Sequence, residues 1–410
     1  MPEFLELSPV EDAQLIFKNT LQVNIKEEEI LTQNAVGRIT TNSIAAPHPL
    51  PSFTRSSVDG YALKASDAFG ASDALPAYLK LIGEISMGIK PYFTLAPAQC
   101  CLIHTGGMLP AGADAVVMLE HTQISRPGEI EVYRAVAFGE NVIQEGEDVK
   151  ASEIVVQKGT RLRPVEIGGL MSLGIVRVKV ACKPRVAVIS SGDEIITPES
   201  KIQPGKIRDT NSYSLSALVE EAGGIAIRYG IVPDDFDVLY QVASQAIAEC
   251  DLIVITAGSS TSARDFTSQV INQLGKPGVL VHGVNIKPGK PTILGLCQGK
   301  AVVGLPGNPV SALIIARHFL VPVINLLIGL REDYFQPFIF AKLTLNLSSL
   351  AGREDWIPVH VEENQSEYIA EPVFGKSNLI FSLARSNGLI CIPTDTTGLN
   401  AGEIVKVYIS

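Results

Sequence analysis

The residues best placed to do chemistry in this 410-residue chain form two sets of opposite charge. The cationic set centres on Ile286-Lys-Pro-Gly-Lys-Pro-Thr292, where two prolines and a glycine stiffen a loop that presents Lys287 and Lys290. Two ammonium groups on a stiff loop can hold an oxyanion. Gly304-Leu-Pro-Gly-Asn-Pro-Val-Ser311 supplies donors of another kind. Asn308 suits an N-cap and Pro309 the first helical position, so unpaired backbone N–H groups are expected to face a crevice. Such an end favours negative charge by ~0.3–1 kcal/mol when exposed. The acidic set is Asp193 and Glu194, Asp234 and Asp235, and Asp265. Acids beside an anion site repel the anion unless a cation lies between them, and Mg²⁺ takes oxygens from carboxylates and substrate phosphates together. Gly258-Ser-Ser-Thr261 offers hydroxyls and close backbone approach, which suits a phosphate. Each feature alone has a plainer reading as a capped helix, a turn or a solvated loop. Their coincidence at three strand ends favours a site.

Those strand ends belong to residues 183–328, where apolar runs of five or six residues alternate with helical stretches, the pattern of parallel strands covered on both faces. Strands are expected at Arg185–Ser190, Ala226–Ile231, Leu252–Thr256 and Ala301–Gly304, with helices at Ser212–Glu221 and Val238–Ala248. A doubly wound sheet closes this pattern, and ligands bind outside the carboxyl ends of its strands. The loops Ser190-Ser-Gly-Asp-Glu194, Thr256-Ala-Gly-Ser-Ser-Thr261 and Gly304–Ser311 would line one crevice.

The flanks read differently. A helical pattern (Val10, Leu15, Ile16, then Ile30 and Leu31) stops at the proline-rich Ala46–Phe53. Short apolar pieces such as Ala77–Ile82 and Cys100–His104 then suggest a β-rich insertion. A turn-rich Gly146–Gly159 leads through Pro164–Leu173 to the strand-like Val176–Val180, and beyond residue 335 a period of two returns in Ala341–Leu347 and Glu403–Ile409. The expected division is an elongated N-terminal domain (1–45 with 142–182), an inserted β domain (46–141), a central α/β domain (183–330) and a C-terminal β-barrel (335–410).

A formal net charge of −10 argues against a nucleic-acid surface, so an anionic small substrate would need a local exception. No uninterrupted apolar run approaches the roughly 20 residues of a membrane span. The N-terminus lacks the basic and apolar regions of a signal peptide, which makes a cytoplasmic protein the expectation. The six cysteines contain no C-x-x-C pair and are expected to be reduced and mostly buried.

Six segments in order carry a resemblance: Ser56-Ser-Val-Asp-Gly-Tyr-Ala62, Gly146-Glu-Asp148, Ser191-Gly-Asp-Glu194, Asp209-Thr-Asn211, Ile286-Lys-Pro-Gly-Lys-Pro291 and Gly304–Ser311. Together they resemble the molybdopterin molybdenumtransferases of the MoeA/gephyrin family, from about residue 10 to the C-terminus. The resemblance implies an elongated homodimer whose active crevice lies between the central α/β domain of one subunit and the inserted β domain of the other. Asp59, Thr105 and Asp148 would complete a wall opposite Glu194, Asp234 and Asp265, and those last three acids would hold Mg²⁺. The implied substrates are adenylated molybdopterin and molybdate, with AMP leaving as molybdenum cofactor forms. Lys287, Lys290, Ser311 and Arg353 would form the oxyanion pocket. Ser191, Gly192, Asp193, Asp209, Asn211, Gly258, Ser259, Pro306, Gly307, Asn308 and Pro309 would bind substrate. The resemblance also implies hand-over to molybdopterin adenylyltransferase and molybdoenzymes.

Two departures stand out. Many relatives carry Gly-Gly-x-Ser-x-Gly before the aspartate where this chain has Gly258-Ser-Ser-Thr-Ser-Ala263, and Gly106-Gly107 replaces the commoner Gly-Ala. They leave room for a tungstate-specific paralogue. A molybdopterin adenylyltransferase shares the central fold but not the flanking β domains, and a non-catalytic scaffold of the gephyrin type is the third reading.

Overall fold

The computed structural model describes residues 7–257, 266–331, 337–365 and 367–409. Two compact units divide the chain: Asn42–Lys158 with Pro164–Val176, and a larger one made of Met1–Thr41, Gly159–Arg163 and Arg177–Ser410.

The larger unit is built on a six-stranded sheet in the order Ile225–Val232, Arg185–Ser191, Leu252–Ala257, Lys300–Pro306, Ile293–Cys297, Pro277–His282. The first four strands are parallel, as their unbroken apolar runs require: Val186, Ala187, Val188 and Ile189 are all fully buried, so both faces are covered. Ile293–Cys297 runs antiparallel to both of its neighbours, and neither it nor Pro277–His282 was expected from the sequence. One face packs on the helices Val10–Thr20 and Asn211–Glu221 and on the helical run 309–327, the other on Phe236–Glu249 and Thr267–Leu274. Each Leu, Ile or Val sealed there contributes about 1.5–3 kcal/mol.

The N-terminal reading needs two corrections. In Val10–Thr20 the buried face is Val10, Ala13 and Phe17, while Leu15 and Ile16 are exposed. Ile30 and Leu31 are not helical but end the strand Glu27–Leu31, which pairs antiparallel with Arg177–Ala181. The run Pro309–Leu327 is long and apolar enough to cross a membrane by length and composition, yet Ile314, Ile315, Phe319, Leu320 and Ile324 are buried in the core. It contains a π-helical turn at Ala316–Leu320. Pro322 cannot donate to the carbonyl of His318, and the Gln14 side chain donates to that carbonyl instead, at 3.0 Å.

The C-terminal strands Phe338–Leu343, Glu354–Asn364, Glu367–Pro372, Gly388–Ile392 and Ile404–Ile409 close into a barrel, because Glu354–Asn364 pairs with both Glu367–Pro372 and Gly388–Ile392. The short strand Ile286–Lys287 joins the barrel by pairing in parallel with Glu354–Asp355. The lysine loop is thereby fixed to both parts of this unit.

The smaller unit carries a six-stranded sheet in the order Ala115–Met118, Gly60–Leu63, Gln99–Ile103, Ala77–Ile85, Glu129–Val132, Thr122–Arg126. Its core contains Leu63, Leu79, Cys100, Val117 and Ile130. Gly60 of the Asp-Gly-Tyr-Ala motif is obligatory, since a Cβ there would lie 2.0 Å from the Val117 carbonyl oxygen. Cys100, Cys101, Cys250 and Cys297 are buried and all six cysteines are free. Burial pushes the Cys100 and Cys101 thiols up to about 12, so they are inert at neutral pH.

Candidate active site

Two adjoining cavities lie in the larger unit. The first, about 890 Å³, takes Lys287, Lys290, Pro306, Asn308 and Ser311 from the α/β side. The barrel supplies Asp355, Trp356, Lys376, Ser377 and Ser382. Gly289 makes the lysine loop possible: its φ is +124°, and a Cβ would meet Ile315 at 2.3 Å.

Arg353 is absent from this lining, and its fork is engaged by a neighbouring acid. Its Nε and Nη2 donate to the two oxygens of Asp355 at 2.6 and 3.1 Å, and the Asp355 side chain is only 4% exposed. Lys287 Nζ lies 3.7 Å from the same carboxylate. Arg353 therefore neutralises a buried acid on the cavity wall rather than opening its fork to the cavity. Three lysines, 287, 290 and 376, remain as the cationic lining of a chain whose net charge is −10.

The second cavity, about 450 Å³, is lined by Ser191, Glu194, Asp209, Asn211, Gly307 and Pro309 among others, and shares Asn308 and Asn378 with the first. Of the expected acidic set only Glu194 lines this second cavity, and the two asparagines join it to the cavity of the lysines. Asp234 sits one bond behind: the Ser191 hydroxyl donates to its carboxylate at 2.9 Å, and its backbone N–H donates to Asp193 at 3.2 Å. Gly192 N–H donates to the Val232 carbonyl at 3.1 Å, tying this loop to the neighbouring strand.

Asp209 lines the second cavity and is also bound to protein. Its oxygens accept from the Ser212 N–H, the Ser212 hydroxyl and the Ser190 hydroxyl at 3.0, 2.6 and 3.2 Å, so it fastens a helix start to a strand end. Asn211 donates to the Gly307 carbonyl at 2.8 Å and so holds the two loops together. Asn308 occupies the N-cap position, but its side chain caps nothing and donates to the Ser377 hydroxyl at 3.0 Å. Val310 N–H donates to the Ser377 carbonyl at 3.0 Å. The first open donor of that helix is therefore satisfied by the barrel and not left for an anion.

Lys376, Ser377, Asn378 and Ser382 were not singled out from the sequence. The available signal was Gly375-Lys-Ser-Asn378, a polar basic turn inside an otherwise alternating β segment. Gly258, Ser259 and Asp265 lie outside the described residues. Among the described residues no three His, Cys, Asp or Glu side chains cluster as a metal site.

In the smaller unit Asp59 and Thr105 meet directly, with Thr105 N–H donating to Asp59 Oδ1 at 2.9 Å. That bond, with His104 beside it, holds the Asp59 carboxyl below the usual carboxylate range. Asp148 stands exposed on a turn whose backbone N–H groups at 148 and 149 both donate to the Leu50 carbonyl.

Comparison with known proteins accounts for this combination. Residues 8–174 match the profile of the MoeA N-terminal region (domains I and II), 187–326 that of a probable molybdopterin binding domain, and 341–409 that of the MoeA C-terminal region (domain IV). The molybdopterin molybdenumtransferase of a Nostoc species is 32% identical, covering 91% of this chain and 86% of that protein. The chain belongs to the MoeA family. The molybdopterin molybdenumtransferase of Haemophilus influenzae is also 32% identical, over 93% of each chain. The crystal structure of a MoeA protein from Pyrococcus horikoshii OT3 superposes with a TM-score of 0.87 at 32% identity, covering 99% of this chain and all of the other. A second Pyrococcus MoeA structure gives 0.83 at 36% identity, covering 98% of this chain and 99% of that one. The MoeA fold thus extends over the whole chain and includes both cavities.

Proposed function

We propose that this MoeA-family enzyme is a molybdopterin molybdenumtransferase of the cytoplasm. It inserts molybdate into adenylated molybdopterin, and AMP leaves as molybdenum cofactor forms. The observation that carries the reading is the junction at Asn308 and Asn378 of a lysine-lined cavity with a polar one lined by Glu194, Arg208 and Asp209. Lys287, Lys290, Lys376 and Ser311 give the first cavity converging positive and hydroxyl donors, the chemistry that holds a tetrahedral oxyanion. Ser191, Glu194 and the loop at Gly307–Pro309 give the second a polar wall for the organic substrate.

Glu194 and Asp234 follow neighbouring paired strands and offer hard oxygen donors. Mg²⁺ is commonly held by one or two carboxylates with substrate phosphates completing its shell, so Glu194 and Asp234 would supply those carboxylates, with Asp265 the third acid that the family resemblance implies. When bound it would neutralise phosphate charge. The working form is a homodimer of four-domain subunits, in which Asp59, Thr105 and Asp148 of one subunit complete the site of the other, and the product passes to molybdoenzymes.

The test gives the purified chain adenylated molybdopterin, Mg²⁺ and molybdate and measures AMP. Molybdate-dependent release is expected, and Glu194→Ala should lower it by on the order of a hundredfold or more with oligomeric state unchanged. Accumulation of adenylated pterin from ATP, or no turnover at all, would sink the reading.

A further inference from the structure

One cluster of ionisable side chains outside the cavities is tied to a residue that the transferase reading places in the reaction. In the smaller unit Gly60 pairs with Ile103, and Ile103 with Ile85, so Asp59, His104 and Glu84 gather at one end of three adjacent strands. His104 Nε2 lies 2.9 Å from Glu84 Oε1, and its Nδ1 lies 3.4 Å from Asp59 Oδ1. Thr105 N–H donates to that same Asp59 oxygen.

The inventory of protons decides what this arrangement requires. Ionised carboxylates only accept, and a neutral imidazole has a single N–H to donate. Nε2 is within hydrogen-bond distance of Glu84 and Nδ1 stands 3.4 Å from Asp59, so the imidazolium is the form that attracts both carboxylates at once. Two acids without that charge would also present −2 at a strand end meant to approach an anionic substrate, whereas the imidazolium leaves −1.

We propose that His104 is a positioning residue: as imidazolium it holds the Asp59 carboxylate against the Thr105 N–H and cancels half of the negative charge at this strand end. The role given to Asp59 rests on the transferase reading; the His104 contacts do not. All three side chains are about half exposed, so the cluster adds little to folding stability, and its value lies in orienting Asp59. Asp59 and Glu84 are the charged groups that face the ring. The hydrogen bond that the ring donates to Glu84, then the attraction of both acids, raises the His104 pKa above its ordinary 6.5. The sign follows. The grip is complete below that ordinary value and is released as pH rises through the raised one.

The experiment measures AMP release against pH for the full-length wild type, His104→Gln and His104→Arg, alongside NMR titration of the His104 ring in the wild type and in Asp59→Asn. The wild type should show a loss of kcat on the basic side that tracks the ring. Gln should remove that limb and lower kcat on the order of tenfold with KM little changed. Arg keeps a charge that does not titrate, so it should hold kcat above Gln at every pH without the limb. The ring midpoint should lie above 6.5 and fall in Asp59→Asn. A Gln variant that retains the basic limb, or a midpoint that Asp59→Asn leaves unmoved, overturns the proposal. Absence of turnover in the wild type would sink the transferase reading instead, and the ring titration would then decide the grip by itself.

Discussion

Two histidines, one in each unit, have their pKa values displaced in opposite directions. His104 stands in water between two carboxylates, and their charge raises its pKa. His318 lies on the long core helix with its ring 4.4 Å from that of Trp356, and burial, helped by Arg317, pushes it down to about 4. The side chains are identical, so the difference is the surroundings: desolvation penalises the charged form, while an opposite charge rewards it. The lesson extends to the acids. Asp355 in the larger unit is buried and needs its arginine, whereas Asp59 in the smaller one is solvated and uses neighbours for orientation.

The contrast is sharpest in what each region should lose on mutation. Arg353→Ala would strand Asp355 with Lys287 alone at 3.7 Å, and removing one partner of a buried pair costs roughly 3–5 kcal/mol. The remaining lysine places the expected loss near the lower end, measurable as a drop in the urea unfolding midpoint. An unchanged midpoint would show that the barrel wall tolerates a lone carboxylate and would erase the distinction between the regions.

His318 predicts the next effect, and its sign is fixed by linkage. Its folded value lies below its unfolded one, so the unfolded state takes up the proton first as pH falls. Stability present above pH 6.5 is lost between there and about 4, by on the order of 3 kcal/mol. Unfolding free energies across that range should show the loss in the wild type and less of it in His318→Phe, which preserves the ring stack. The smallest effect belongs to the other histidine. His104→Gln should leave the unfolding midpoint where it was at neutral pH, since exposed ion pairs contribute little. A large shift would mean that the strand end is structural rather than functional.

The amino-acid sequence by itself determined the elements with strong local pattern. Val186–Ile189 and Leu252–Ile255 read as buried parallel strands and the alternation near 341 and 404 as half-buried ones, and all four are strands in the fold. It also marked the lysine loop, Glu194, Asn308 and Ser311, because proline, glycine and charge at strand ends are local signals. The strand Pro277–His282 opens on proline and glycine and so hid among turn residues, and Glu27–Leu31 became a strand only by pairing with Arg177–Ala181, about 150 positions later. Which protein group a polar side chain binds was likewise decided by tertiary structure. The Asn211 amide is claimed by the Gly307 carbonyl, the Asn308 amide by the Ser377 hydroxyl, and the first donor of the helix at 309 by the Ser377 carbonyl. Propensity and charge are properties of a residue and its neighbours in the chain, whereas the partner of a donor or acceptor is set by whichever distant segment packs within 3 Å of it.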